Sequence, residues 1–250
     1  LAAYDFSSTR LFVDAPLAEG AELVLEDAQA NYVRNVMRMA AGDGLLLFNG
    51  RDGEWGARIS DVAKKRVTLV AERRTRPQTP AGKLRYLFAP LKHARLDYMV
   101  QKAVEMGASR LSPVITRRTQ ASRVNVERMR ANAVEAAEQC GVLALPEIDE
   151  PEPLARTLES WPADAPLAFC DEDSEAQDPV AALRPLAGRP IAVLIGPEGG
   201  FAPEERAALL RLPSVVRLSL GPRILRADTA AVAALTLVQA VAGDWPAGPA

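Results

Sequence analysis

The sequence predicts an α/β protein in two parts, a small β-barrel followed by a domain built on a mainly parallel sheet. Three observations predict it. Short apolar runs with turn signals between them fill the first seventy-odd residues. From Lys83 onward, strand-like and helix-like segments alternate. Between the two, Arg73 to Gly82 is polar, proline-bearing and without period, which places a domain boundary there.

In the first part the expected strands are Arg10 to Val13, Ala21 to Leu25, Gly44 to Phe48, Gly56 to Ser60 and Arg66 to Ala71. One helix interrupts them, capped by Asp27, with Tyr32, Val33, Val36, Met37 and Met39 as its apolar face before Gly42. In the second part the expected strands are Leu84 to Ala89, Leu111 to Ile115, Leu167 to Cys170, Ile191 to Ile195 and Val215 to Leu220. A helix carrying Leu96, Met99, Val100, Ala103 and Met106 on one stripe stops at Gly107, which can take the left-handed terminating conformation. Pro203 followed by Glu204 and Glu205 starts another helix, since proline suits the first helical position and acids suit its positive end. A last helix, capped by Asp228 or Thr229, buries Ala231, Ala234, Leu235 and Val238.

With 250 residues, 48% of them hydrophobic, the chain can bury a substantial core. No segment has the unbroken apolar length of a membrane span, and the first residues lack the pattern of a signal peptide, so a cytoplasmic location is expected. Two cysteines, Cys140 and Cys170, and a single histidine, His93, satisfy no zinc or iron–sulfur spacing, so no metal is expected. Both cysteines read as buried packing residues and His93 as a surface residue at a helix start. The net charge of -2 hides a partition: residues 83–130 carry eleven Lys or Arg against three acids, and residues 131–180 thirteen acids against Arg156 alone. Either the basic block presents a phosphate-attracting face or the two blocks neutralise each other.

Two glycine-bearing loops stand at the carboxyl ends of expected strands, where open α/β sheets bind ligands: Gly196-Pro197-Glu198-Gly199-Gly200-Phe201 and Leu220-Gly221-Pro222-Arg223-Ile224-Leu225-Arg226. Taken alone they are either turns or a backbone-rich ligand site; neither matches a Walker A loop or the dinucleotide fingerprint.

Together, in this order and separation, the loops resemble the signature of SPOUT methyltransferases, specifically the ribosomal RNA small subunit methyltransferase E family. Asn31 to Met39 with Gly42-Asp43, Gln101 to Gly107, Pro113 to Thr119 and Glu135 to Gly141 extend the resemblance over nearly the whole chain. The chain departs from the family's usual residues at Asn31 or Tyr32, Val142, Ala227 and Asp228. The resemblance implies a PUA-like RNA-binding barrel over residues 1–74 and a SPOUT α/β domain over 83–250, with a deep trefoil knot at roughly 190–245. It implies methyl transfer from S-adenosylmethionine to N3 of a uridine in 16S ribosomal RNA, and a homodimer.

On that resemblance the cofactor contacts are Ile195, Gly196, Pro197, Glu198, Gly199, Gly200, Leu220, Gly221, Ile224, Leu225, Arg226 and Thr229. Arg226 is the first choice for stabilising the uracil anion or a nearby phosphate, the alternative being an ion pair with Asp228. Glu198 or Asp228 would take the N3 proton, unless Glu198 caps the helix at Pro203. RNA contacts are expected from Arg10, Arg34 and Arg38, and from Lys92, Arg95, Lys102, Arg117, Arg118 and Arg123.

Overall fold

The computed structural model describes residues 8–92, 94–121, 123–171 and 178–245. The chain forms two compact units, Leu1–Pro80 together with Ala137–Ala144, and Ala81–Ala136 together with Leu145–Ala250. His93, expected at a helix start, lies outside the described residues.

The first unit is a five-stranded sheet of β1 (Arg10–Phe12), β2 (Glu22–Glu26), β3 (Gly44–Phe48), β4 (Glu54–Val62) and β5 (Arg66–Arg76), in the order β1-β3-β4-β5-β2. Only the β1/β3 pairing is parallel. Alternation along β2 buries Leu23 and Leu25 and exposes Glu22, Val24 and Glu26, the period-2 pattern of a strand with one wet face. These side chains join Leu47, Ile59, Val67 and Leu69 in one core.

Two local expectations are corrected here. Arg73 to Arg76, read as the start of the aperiodic boundary segment, continues β5, where Arg74 pairs with Trp55 and Arg76 with Glu54 of β4 across bulges in the ladder. The helix is α1 (Asp27–Asn31) followed by a π-helical turn, Tyr32–Val36. Its N-cap is Glu26; Asp27 is the first helical residue, at φ 43.

The second unit carries a seven-stranded sheet. Its strands are β6 (Leu84–Phe88), β7 (Ala108–Ile115), β8 (Glu147–Ile148), β9 (Glu152–Pro153), β10 (Leu167–Cys170), β11 (Ile191–Ile195) and β12 (Val215–Leu218). They run β12-β10-β11-β6-β7-β8, with β9 also on β7, and every pairing is parallel. All five residues of β11 are buried, as expected of a parallel strand covered on both faces. The connections hold α2 (Ala94–Glu105), α3 (Val126–Cys140), α4 (Leu154–Glu159), α5 (Pro179–Leu183), α6 (Pro203–Leu210) and α7 (Ala227–Val241). Leu87, Phe169, Leu194 and Leu209 are fully buried in this unit's core.

Three features position the site. Cys170 is in register with Leu218, and Ile195 with Phe88, so neighbouring strands end along one edge. The chain leaves β11 through α6 and returns not beside it but at β12, next to β10. Then α7 packs on α2 and β11, fastened where Gln239 Nε2 donates to the carbonyl of Met106, 2.7 Å away. Gly107, at φ 78 just past α2, would meet that same Gln239 Nε2 at 2.6 Å if it carried a Cβ.

Candidate active site

Both glycine loops leave the carboxyl edge of the parallel sheet, one after β11 and the other after β12. In the first, the Gly200 N–H donates to the Pro197 carbonyl at 2.9 Å, closing a turn with Gly200 at φ 69. A Cβ on Gly196 would sit 2.5 Å from Cε2 of Phe201, so glycine is needed for the close approach of that ring. The helix after the loop is capped by Glu205, whose carboxylate accepts the Ala202 N–H at 2.9 Å and the Arg117 N–H at 2.8 Å. Glu198 is therefore not the cap of α6. In the second loop Gly221 takes φ 95 and leads to Ile224, which is 93% exposed.

Between the loops lies a cavity of about 310 Å³, inside the range of small-molecule sites. Ile195 to Glu198 and Gly200 line it from one loop, and Leu220, Gly221, Ile224 and Leu225 from the other. Gly199, Arg226 and Thr229 do not line it. The third wall comes from the end of β10, where Cys170 and Asp171 stand. Asp171 is buried and accepts from Arg206 Nη2 and Arg217 Nε, each at 2.9 Å, a desolvated carboxylate held by two cations. Sequence reasoning passed over Asp171; the available signal was an acid directly after the apolar run Leu167–Cys170, at a parallel strand's carboxyl end.

Arg95, expected to meet RNA, joins the two loops. Its Nε donates to Asp228 Oδ2 at 2.8 Å, and its Nη1 pairs with Glu198 Oε1. Its Nη2 is buried without a hydrogen-bond partner among the described residues. The Arg95 hydrogen bond, with help from the Thr229 N–H, holds the Asp228 carboxyl below its ordinary range. Asp228 is therefore a poor proton acceptor. It is also neither the partner of Arg226 nor the cap of α7: Arg226 is the N-cap residue, and its exposed side chain makes no ion pair among the described residues.

The remaining basic residues divide. Arg38, Lys92, Arg117, Arg118 and Arg123 are exposed. Arg118 Nη1 also donates to the Gly199 carbonyl at 2.6 Å, and Arg117 stands 3.6 Å from Glu204. Arg34 donates to the carbonyls of Ala63 and Lys64, and Lys102 pairs with Glu105 at 2.6 Å. Arg10 is corrected outright: its side chain is 4% exposed and pairs with Glu54 at 2.9 Å, so it cannot present its charge to phosphate. Part of the basic block is neutralised by the acidic one, since Arg85 and Arg110 both pair with Asp149.

Cys140 is exposed, against expectation, because it ends α3; Cys170 is half-buried and its thiol is pushed up to about 12 by burial. Among the described residues no cluster suits a metal ion, and no helix is long and apolar enough to cross a membrane.

Residues 77–239 match an RNA methyltransferase domain family, and residues 25–72 match an RNA methyltransferase PUA domain. Ribosomal RNA small subunit methyltransferase E of Rickettsia conorii is 30% identical over 234 residues, covering 92% of this chain and 94% of that protein. A methyltransferase from Legionella pneumophila, solved with its cofactor S-adenosylmethionine bound, is 31% identical with a TM-score of 0.80, over 95% of this chain and 99% of that one. The fold is shared equally with ribosomal RNA small subunit methyltransferase E from Neisseria gonorrhoeae, at 24% identity and a TM-score of 0.83 over the same 95% and 99%.

Proposed function

The chain belongs to the ribosomal RNA small subunit methyltransferase E family and is an RNA methyltransferase, and from this we propose that it methylates N3 of a uridine in 16S ribosomal RNA using S-adenosylmethionine. The observation that carries the reading is the cavity of about 310 Å³ between the two glycine loops.

The residues present suit the cofactor. Leu220, Ile224 and Leu225 offer apolar walls for a purine, and the turn at Pro197–Gly200 leaves backbone groups open to a polar ligand. A Cβ at Gly221 would meet nothing within 4 Å, so the second loop leaves room beside it. Gly199 belongs to the binding set through the turn that it helps to form, whereas Arg226 and Thr229, at the start of α7 and off the cavity wall, do not. When bound, the cofactor supplies a methyl carbon on a positively charged sulfur leaving group.

The acceptor is uracil N3, which carries a proton at neutral pH. Glu198 takes that proton: both carboxylates pair with Arg95, but Asp228 also accepts the Thr229 N–H and is held below its ordinary range, whereas Glu198 lines the cavity with its carboxylate 40% exposed. Arg226, exposed at the start of α7, binds a phosphate beside the target nucleotide. Arg117 and Arg123, together with Arg38 of the first unit, contact RNA phosphates, and Lys92 and Arg118 contact the target nucleotide. Holding the acceptor in line contributes about 7 to 11 kcal/mol in favourable cases.

Residues 1–74 serve in this reading as the PUA-like RNA-binding domain and 83–250 as the SPOUT domain. A deep trefoil knot over roughly 190–245 is supported by β12 pairing with β10 and by the return of α7 to β11 and α2. Leu210, Ile224 and Trp245, large apolar residues exposed on the second unit, support a homodimer, and the enzyme works in the cytoplasm.

The test is to incubate the purified protein and labelled S-adenosylmethionine with 16S RNA and with small subunits from cells lacking the gene, then digest and identify the nucleoside. 3-Methyluridine is expected. A different methylated nucleoside would reject the N3 assignment; RNA binding without cofactor binding would make the chain a non-catalytic RNA-binding protein.

A further inference from the structure

A second cavity, of about 170 Å³, lies against the first glycine loop. Pro197 and Glu198 line both cavities, so the two adjoin along that turn. Its remaining walls are Pro90 and Leu91, which are apolar, and Lys92, Arg95, Arg118 and Gln120, which carry three cations and an amide. α2 begins at Ala94, two residues after Lys92, and adds the positive end of a twelve-residue helix. Arg95 is fully committed except at one atom, the buried Nη2 that no described group satisfies. A guanidinium nitrogen left dry and unpaired costs stability, so a ligand that brings an acceptor to it gains a charge-assisted hydrogen bond.

We infer that this second cavity is the pocket for the target base, that its occupant is a pyrimidine-2,4-dione, and that Arg95 is the residue that stabilises the deprotonated ring. The inference rests on the uridine reading above and deepens it. Deprotonated uracil presents three acceptors in a row, O2, N3 and O4, on a flat ring with apolar faces. The cavity presents donors from Arg95, Lys92, Arg118 and Gln120 between walls of proline and leucine. Cytosine would turn its N4 amino donor toward cations and is disfavoured, so the same donors select the base.

Arg95 also links deprotonation to charge. While Glu198 is ionised, Arg95 pairs with it. When the N3–H bond breaks and the proton passes to Glu198 and on to water, the electron pair stays on N3 and the guanidinium charge is released toward the ring. The N3–methyl bond then forms as the donor's carbon–sulfur bond breaks, with that pair kept by sulfur.

The experiment is Arg95→Lys, which keeps a cation near Asp228 and Glu198 but removes the planar second nitrogen. Single-turnover methylation is measured from pH 6 to 10, with S-adenosylmethionine affinity by calorimetry and product identity by mass spectrometry. The expected rate loss is on the order of 10²-fold at neutral pH, the usual effect of deleting one preorganised donor. That loss should shrink as pH approaches the ring's own ionisation, with cofactor affinity within about twofold. A second variant, Gln120→Trp, fills the cavity from an exposed loop residue and should lower turnover while leaving cofactor affinity intact. A loss in Arg95→Lys that is equal at every pH, or a parallel loss of cofactor affinity, would reduce Arg95 to a brace between the loops and overturn the base pocket. Full activity in Gln120→Trp would overturn it as well. A wild-type product other than 3-methyluridine would instead sink the uridine reading on which it rests.

Discussion

Arg95 Nε lies 2.8 Å from Asp228 Oδ2, a contact between residues 133 positions apart that ties the start of α2 to the start of α7. The pair fixes the second glycine loop from its carboxyl end, because Asp228 follows that loop by only two residues. Asp228→Asn is expected to cost about 1 kcal/mol at neutral pH, at the upper end for a partly exposed pair, or about 2 to 4 °C in Tm. The sign with pH follows from the lowered Asp228 carboxyl. A carboxyl depressed in the folded state contributes its stability above the unfolded value, about 4, and loses it as pH falls through the folded value. Urea unfolding should therefore show a constant difference between wild type and variant above about pH 5 and a shrinking one below about pH 4.

Arg10 and Glu54 form a pair in which both side chains are 4% exposed. Glu54 also accepts from Arg76 and from the Thr75 hydroxyl, so the carboxylate is satisfied by two strands at once. Glu54→Ala strips two cations of this buried carboxylate and should destabilise by about 3 to 5 kcal/mol. Arg10→Ala should cost stability as well, yet leave the salt dependence of RNA affinity unchanged. A shallower salt dependence in Arg10→Ala would return Arg10 to the RNA-contacting set.

Gly196→Ala places a methyl group 2.5 Å from the Phe201 ring, which itself packs edge-on against Phe169 with centroids 5.3 Å apart. Relief requires moving the ring or the loop. Overpacking of this kind costs about 1 to 3 kcal/mol, and calorimetry should show a loss of S-adenosylmethionine affinity of about tenfold or more. Phe201→Leu in the same chain should recover part of that affinity, because it removes the atoms that the new methyl group meets.

The parallel sheet was legible because Leu167–Cys170 and Ile191–Ile195 are unbroken apolar runs, which only a strand covered on both faces needs. The glycine loops were legible for a related reason, since a close approach such as Gly196 to Phe201 leaves glycine in the sequence. What could not be read were pairings between distant residues. Arg10 looks like any basic residue until Glu54 is found against it, 44 positions away, and Asp171 looks like part of an acidic stretch until Arg206 and Arg217 close on it. Arg73 to Arg76 reads as aperiodic because this end of β5 carries mostly exposed polar side chains and so lacks an apolar alternation.

Burial raises the Cys170 thiol to about 12, so thiolate is scarce at pH 8 even though the residue stands at the cavity wall. Brief treatment with iodoacetamide at pH 8, followed by peptide mass spectrometry, should label Cys140, which is exposed, and spare Cys170. Rapid labelling of Cys170 would show that the end of β10 opens to solvent.

Salt dependence separates the basic residues that face solvent from those already engaged. Arg123 and Arg38 are exposed, whereas Arg34 donates to the carbonyls of Ala63 and Lys64 and Lys102 is held by Glu105. A cation that touches phosphate releases counterions on binding, so removing it flattens the plot of log affinity against log salt by about 0.7 to 0.9. Arg123→Ala, Arg38→Ala and Arg226→Ala should each flatten the slope by roughly that amount and leave S-adenosylmethionine affinity alone. Lys102→Ala and Arg34→Ala should leave the slope nearly unchanged, because their charges are already spent on Glu105 and on backbone carbonyls. An Arg226→Ala enzyme with an unchanged slope but a slower chemical step would move Arg226 from phosphate to the reacting base, and with it the division of labour between Arg226 and Arg95.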